Sequence, residues 1–154
     1  MANRRAAIAM TADEVAALLD AGRVAVVATN GHDGWPHVMP LWYLVRDGEV
    51  WVWTFAKSQK VRNVERDPRA TVQVEAGTAY ADLRGAVLQC DVIVHRDVDA
   101  VAAVGLELAV RYGDGSVSEA AAAALRAQAS KRVALQFVEH RRTTWDHRKL
   151  GGAP

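Results

Sequence analysis

The clearest candidates for chemistry are the polar and cationic side chains of one short segment: Lys57, Ser58, Gln59, Lys60 and Arg62. Ser58 is a suitable N-cap and Pro68 disfavours helical geometry at Asp67, so a helix of about two turns is predicted between them. The positive end of the helix dipole opposes each cation in the first turn by about 0.3–1 kcal/mol. A bound anion would reverse that sign, because the dipole, the free N–H groups and the cations would all attract it. The segment therefore predicts a phosphate or carboxylate site.

The same charges also fit a simpler interpretation. A solvated basic turn, with Glu65 and Asp67 balancing the cations further along the segment, would need no ligand. Charge alone leaves both interpretations open.

Composition limits the other functions. The chain has 154 residues, enough for one domain with a substantial core, and residues 1–154 are predicted to form a single domain. Its 19 lysines and arginines against 18 acidic residues create no global field for nucleic acid or an anionic membrane. Cys90 is the only cysteine, so a buried free thiol is expected. We expect a cytoplasmic protein without membrane insertion, because no apolar run resembles a signal sequence or reaches membrane-spanning length.

The first half of the chain predicts one helix followed by a three-strand meander. Thr11 and Glu14 have capping-box spacing, and a helix is expected over residues 11–21. Turn residues separate the strands predicted next: Arg23–Asn30, Pro36–Arg46 and Glu49–Phe55. Pro40 interrupts the middle strand. Because proline cannot donate to a sheet ladder, this strand must lie at an edge or carry a bulge. That edge could contact a ligand, or the proline could only discourage edge-to-edge aggregation.

The second half adds three strands and a helical insertion. Strands are predicted at Arg69–Ala76, at Ala81–Arg96 with a bulge at Arg84-Gly85, and at Arg132–Trp145. Helical spacing predicts two helices at about 97–130. Six mostly antiparallel strands cannot bury both faces as an open sheet in so short a chain. We therefore predict a mainly β structure with helices (α+β), closed into a small six-stranded barrel.

Several familiar sites are absent from the sequence. No Gly-x-Gly-x-x-Gly or Gly-Lys-Ser/Thr loop is present, no histidine or cysteine cluster predicts a metal site, and no catalytic Ser/His/Asp set can be argued from spacing. The chain is instead rich in indole and phenol rings, which provide flat faces with a polar handle: Trp35, Trp42, Trp51, Trp53, Trp145, Tyr43 and Tyr80. A flat heterocycle beside the Pro40 strand, with its anionic tail on the Lys60 helix, would use both features.

Three stretches resemble a known superfamily: Asn30 to Trp42 (NGHDGWPHVMPLW), Ser58 to Pro68 (SQKVRNVERDP) and Trp145 to Leu150 (WDHRKL). They are similar to the pyridoxamine 5'-phosphate oxidase-like split β-barrels, the FMN-binding split barrel type. More narrowly they resemble the flavin/deazaflavin oxidoreductase B group, whose members often use coenzyme F420. The arginine-rich phosphate pattern of true pyridoxamine phosphate oxidases is absent, which argues against vitamin B6 chemistry.

The resemblance implies a homodimer with two cofactor sites, each built from both subunits. Lys60 would pair with the cofactor phosphate, assisted by its neighbours in the helix: Ser58, Gln59, Val61, Arg62 and Asn63. The ring system would be lined by Met39, Pro40, Leu41, Trp42, Trp53 and Thr54. Tyr80 would come from the second subunit, and residues 145–148 would close the pocket.

The implied function is hydride transfer between reduced F420 and a small organic acceptor, with the chemistry carried by the cofactor rather than by a catalytic side chain. FMN in place of F420 is the second enzyme hypothesis. A cofactor carrier or haem-binding barrel without turnover is the alternative from another class, with an axial ligand among His37, His95 and His147. The sequence does not identify the acceptor.

Overall fold

The computed structural model describes residues 4–151, in which five helices surround one antiparallel sheet of seven strands. The helices are α1 (Arg4–Ala7), α2 (Ala12–Ala21), α3 (Gln59–Arg66), α4 (Val98–Tyr112) and α5 (Glu119–Ala129). The strands are β1 (Ala25–Asn30), β2 (Pro36–Leu41), β3 (Leu44–Arg46), β4 (Glu49–Phe55), β5 (Arg69–Ala76), β6 (Arg84–His95) and β7 (Arg132–Asp146). Short 3₁₀ helices occupy Tyr80–Asp82 and His147–Leu150.

The sheet is curled into a barrel that remains open along one seam. Its strand order is β2-β1-β5-β6-β7-β4-β3, so β2 and β3 form opposite edges although they are adjacent in the sequence. The chain crosses from one edge to the other at Trp42 and Tyr43. This crossing joins the two edges covalently, and we call the gap between them the split.

The crossing corrects the prediction of a six-stranded barrel with a continuous strand over Pro36–Arg46. Pairing with β1 ends at Leu41, and pairing with β4 begins at Leu44. Between them, the Tyr43 N–H donates to the Tyr112 hydroxyl at 3.0 Å instead of to a strand. The predicted strand is therefore two strands, and β1 to β4 do not form one meander.

Other local predictions are confirmed. Thr11 and Glu14 form a complete capping box at the start of α2. Asp47 and Gly48 have φ angles of 53° and 80°, as a tight hairpin turn between β3 and β4 requires. Pro40 lies in β2, an edge strand that pairs only with β1, as a residue without an N–H donor predicts.

The long β6–β7 ladder differs from prediction. Its irregularity lies between Gln89 and Cys90, whereas Arg84 and Gly85 pair in regular register with Asp146 and Trp145. A Cβ atom on Gly85 would lie 2.3 Å from the Trp145 ring. The predicted bulge at Arg84-Gly85 is therefore wrong, because this glycine makes room for an indole rather than for an extra residue.

Two apolar clusters stabilise the fold. The inward faces of the strands, together with α2 and α3, enclose the larger cluster, which includes Val27, Val61, Val72 and Leu135. A second cluster lies between α4 and the outer face of β4 and includes Trp51 and Val104. Cys90 is a buried free thiol as expected, and burial raises its pKa to about 12. Within residues 4–151, no helix is both long and apolar enough to cross a membrane.

Candidate functional site

Helix α3 packs against strands β1, β4 and β6. β3 pairs with β4 only as far as Trp51, so the later part of β4 has no strand neighbour on that side. α3 follows β4 almost directly, and its Val61 and Val64 pack into the barrel core. Polar contacts join α3 to β4 through Thr54 and to β1 through Thr29. The helix predicted to bind an anion therefore bridges β1 and β4, the strands next to the two edges of the sheet.

Lys60 is a buried cation without a counter-charge. Its side chain is in the first turn of α3, only 8% of the residue is exposed, and Nζ donates to Thr54 Oγ1 at 3.1 Å. It forms no ion pair with any carboxylate in the part of the chain that the structure describes. Desolvation by burial lowers the pKa of this ammonium group. Burying a charge is unfavourable unless it is paired, so this site favours an anion.

A chain of two side-chain amides and one hydroxyl joins the first two turns of α3 to β1. Gln59 Nε2 donates to Asn63 Oδ1 at 2.9 Å, and Asn63 Nδ2 donates to Thr29 Oγ1 at 3.0 Å. Asn63 and Thr29 are 0% and 2% exposed. Because both amide contacts are internal, Asn63 supports the helix rather than presenting its amide to solvent.

Ser58 occupies the predicted N-cap position but does not cap the helix. Its side chain makes no bond to the first turn, and its buried Oγ has no partner in the described chain. The first N–H groups of a helix also lack intrahelical acceptors. An orphan hydroxyl, free N–H groups and the Lys60 ammonium therefore surround the start of α3, and no acidic residue lies in its first turn. This donor set fits a phosphate.

The two carboxylates that would balance a solvated basic turn, Glu65 and Asp67, form ion pairs with other residues. Glu65 pairs with Arg96, outside the helix. Asp67 pairs with Arg69 at 2.7 Å and accepts from Asn30 at 2.8 Å, and these contacts hold its pKa far below the usual range. Neither carboxylate neutralises Lys60. The positions of these two carboxylates therefore weaken the interpretation of the segment as a solvated basic turn.

The remaining predicted residues of α3 divide by exposure. Val61 is fully buried in the core, so only its backbone N–H remains for a ligand. Arg62 is exposed and forms no ion pair among residues 4–151.

The edge strand β2 presents the predicted ring-lining residues beside the split. Met39 lies opposite Val27 and Leu41 opposite Ala25, so both share the face of the barrel interior. Pro40 lies on the other face. Met39 is 39% and Trp42 62% exposed, which leaves apolar surface available at this edge.

Sequence reasoning did not include His37 in the cofactor site. It lies directly opposite Thr29, on the same interior face as Met39, and its buried Nδ1 has no partner in the described chain. The strand alternation could have indicated His37. With Asn30 opposite Pro36 in the hairpin, every second residue of β2 from His37 onward faces the interior.

The structure does not bring Trp53 to the same side as Thr54. Consecutive strand residues face opposite sides of a sheet, and Trp53 packs outward, where a Cβ on Gly105 would lie 2.9 Å from its ring. The Arg132 guanidinium lies 4.4 Å from the Trp53 ring centre. A ring-lining role for Trp53 therefore remains a prediction.

Tyr80 is also remote from Lys60 within one chain. β5 begins next to the end of α3 and runs away from it, and Tyr80 follows the far end of that strand. Its ring lies 4.6 Å from that of His147, whose Nδ1 is 2.8 Å from the Tyr80 carbonyl oxygen. Residues 145–148 share this far end, so neither group completes the Lys60 site within one subunit.

A separate cleft of about 860 Å³ lies on the outside of the sheet near the end of α3. Five of its polar side chains are already paired with each other: Asn30 with Asp67, Arg69 with Asp67, and His140 with Asp91. This cleft does not contain Lys60 or Ser58.

A seven-stranded antiparallel sheet, curled into a barrel and open between β2 and β3, defines a split β-barrel. A protein-family model described as pyridoxamine 5'-phosphate oxidase matches residues 11–146. The chain belongs to this family. Among curated proteins no match was found.

Solved structures share the fold. The chain is similar to the conserved hypothetical protein Rv2991 from Mycobacterium tuberculosis, with 37% identity, a TM-score of 0.90 and coverage of 97% of this chain and 93% of that one. A structure named F420 Reductase is 24% identical, with a TM-score of 0.66 and coverage of 82% and 93%. HutZ, the haem storage protein from Vibrio cholerae, is 13% identical, with a TM-score of 0.65 and coverage of 84% and 89%. The similarity to the last two structures shows only that they share the fold.

Proposed function

We propose that this chain is an oxidoreductase that binds coenzyme F420 at the split and transfers a hydride between the reduced cofactor and a small organic acceptor. The observation that carries the proposal is the buried Lys60 ammonium, which has a threonine hydroxyl as partner but no carboxylate. A structural lysine in this position would be expected to have a counter-charge. A phosphate group would supply it.

The chain's residues would bind and orient rather than react. Lys60, the Ser58 hydroxyl and the N–H groups that begin α3 would hold the cofactor phosphate. Met39, Leu41 and Trp42 would provide apolar surface for the ring along the edge of β2. When bound, the deazaflavin supplies the hydride chemistry, and the barrel edge shields that ring from water.

A second subunit would complete the site. Tyr80 is 69% exposed and lies at the opposite end of the barrel from α3, so one chain cannot bring it to Lys60. A homodimer in which the partner presents its Tyr80 end to this split would bring the two groups together. The exposed tryptophans beside β2, Trp35 and Trp42, suit contact with a partner.

F420 is preferred to FMN on two grounds. The sequence lacks the arginine-rich phosphate pattern of true pyridoxamine phosphate oxidases, and one structural relative is named F420 Reductase. FMN on the same phosphate site is the alternative outcome of the test below.

The test is equilibrium binding of F420 and FMN, side by side, to the wild-type protein and to Lys60→Ala. We expect F420 to bind more tightly than FMN and Lys60→Ala to weaken F420 binding by about 1.5–3 kcal/mol, the scale of a hydrogen bond to a charged group. Arg126→Ala is the matched control, because it removes an exposed cation from α5, away from the split. Equal affinity of Lys60→Ala and wild type would overturn the phosphate assignment.

Haem binding is a second candidate because of His37. His95 is bonded to Gln136 and stacked on Trp51, and His147 is bonded to the Tyr80 carbonyl group. Of these three histidines, His37 alone has a buried ring nitrogen without a partner in the described chain, as an axial ligand would require. A Soret band on haem addition that His37→Ala abolishes would support this function, and its absence in the wild type would remove it.

A further inference from the structure

The helical insertion contacts the seam of the barrel through Tyr112, the last residue of α4. The Tyr112 ring stacks on the Trp42 indole with a centroid distance of 4.5 Å and an interplanar angle of 8°. Trp42 is one of the two residues at which the chain crosses between β2 and β3. The insertion therefore supports a residue that was predicted to line the cofactor ring.

The hydroxyl of Tyr112 holds the crossing itself. It accepts the Tyr43 N–H at 3.0 Å and lies 2.7 Å from the carbonyl oxygens of both Tyr43 and Arg23, to which it can donate. These are backbone groups of the crossing and of the residues before β1. One side chain thus substitutes for the strand pairing that is missing between Leu41 and Leu44.

The neighbouring Arg111 fixes the end of α4. Its Nη2 donates to the carbonyl oxygens of Asp20 and Gly22 at 2.7 and 2.8 Å, and so caps the C-terminal end of α2. Its guanidinium also lies 5.5 Å from the centre of the Tyr43 ring. With α4 tied to α2 in this way, the position of Tyr112 is set by the barrel rather than by the exposed loop that follows it.

Trp42 needs such support in order to serve a ligand. Trp42 has no strand partner and is 62% exposed, so part of the indole is accessible to a ligand while Tyr112 covers one face. An unsupported indole would sample several rotamers and would lose more entropy when it stacks on a ligand.

We propose that Tyr112 is a positioning residue, which holds the indole of Trp42 in place for stacking against the planar ring of the bound cofactor. This inference rests on the proposed function, and it makes the helical insertion part of the binding site.

The test is a double-mutant cycle on F420 affinity with Trp42→Ala, Tyr112→Leu and the double variant. We expect Tyr112→Leu to raise the Kd about two- to tenfold, the range of an aromatic pair. In the Trp42→Ala background it should cause no further loss, because it acts through that indole. The near-ultraviolet circular dichroism of the ligand-free protein should change in Tyr112→Leu, since the stacked pair is lost.

Tyr112→Phe separates positioning from general stability. This variant keeps the stack and loses the hydroxyl contacts, so its melting temperature should fall while its F420 affinity falls less than that of Tyr112→Leu. Affinity losses that instead follow the melting temperature across the variants, or that add in the double variant, would overturn the inference. Unchanged affinity in Trp42→Ala would overturn it even if Tyr112→Leu failed to fold.

The two proposals fail in different ways. If the wild type binds F420 and Lys60→Ala weakens it while Tyr112→Leu does not, the function stands and the positioning role is wrong. If the wild type binds neither F420 nor FMN, both proposals are wrong.

Discussion

Asn63 donates its side-chain amide to Thr29 Oγ1 at 3.0 Å, and this contact joins α3 to β1. Both residues are buried, and the Asn63 oxygen is already held by Gln59. Side chains of α3 therefore connect β1 and β4, the strands next to the two edges of the sheet, in addition to the backbone crossing at Trp42.

Thr29→Val should destabilise the protein. Valine has nearly the same shape but leaves the buried Asn63 amide without its acceptor, which costs about 1–3 kcal/mol. The melting temperature should fall by about 2–4 °C for each kcal/mol. Thr143→Val is the control, because Thr143 is exposed on β7 and its side chain has no hydrogen bond in the described residues. Equal melting temperatures for the two variants would show that the Asn63 contact contributes nothing.

Lys60→Met should stabilise the ligand-free protein near neutral pH. Burial lowers the pKa of Lys60 in the folded protein below the ordinary value of 10.5. At a pH between the folded and the ordinary pKa, the unfolded chain therefore binds a proton that the folded chain lacks. The free energy of unfolding of the wild type therefore rises with pH across that window. The difference in free energy of unfolding between Lys60→Met and the wild type should therefore shrink as the pH rises toward 10.5, the ordinary pKa of lysine.

Urea unfolding of the two proteins at a series of pH values measures this difference. Lys131→Met, which replaces an exposed lysine, should show no such pH-dependent gap. A Lys60→Met protein that is less stable than wild type at neutral pH would mean that Lys60 already has adequate partners without a ligand.

Gly85→Ala should be destabilising because of Trp145. The added Cβ would lie 2.3 Å from the indole ring, and such overpacking costs about 1–3 kcal/mol. The same substitution in a Trp145→Leu background should cost much less, since the smaller side chain leaves room. Denaturant unfolding of the four proteins gives both values. An equal loss of unfolding free energy in the two backgrounds would show that the strain does not come from the contact with Trp145.

The sequence predicted the features that depend on neighbouring residues. Turn chemistry located both hairpins, the capping box located α2, and the missing N–H of Pro40 predicted an edge strand or a bulge, of which the structure shows the edge strand. The cations of α3 were recognised because they conflict with the helix dipole, and the structure shows that Lys60 is buried without a counter-charge.

Features that depend on distant residues were not predictable in the same way. The break at Trp42 and Tyr43 depends on Tyr112, about 70 positions later, which supplies hydrogen bonds in place of a strand. The irregularity at Cys90 depends on the register of β7. The free Ser58 hydroxyl contradicts the usual capping preference, and local rules fail most often where a ligand is expected to take part.

The attachment of α3 also bears on how the molecule moves. Side-chain hydrogen bonds join α3 to β1 and β4, and Val61 and Val64 pack into the core, whereas the strand ladders do not include this helix. Local unfolding of α3 therefore leaves the strand pairing intact, whereas opening of the central strands breaks backbone pairing on both sides. A local fluctuation of this helix thus acts directly on the proposed phosphate site.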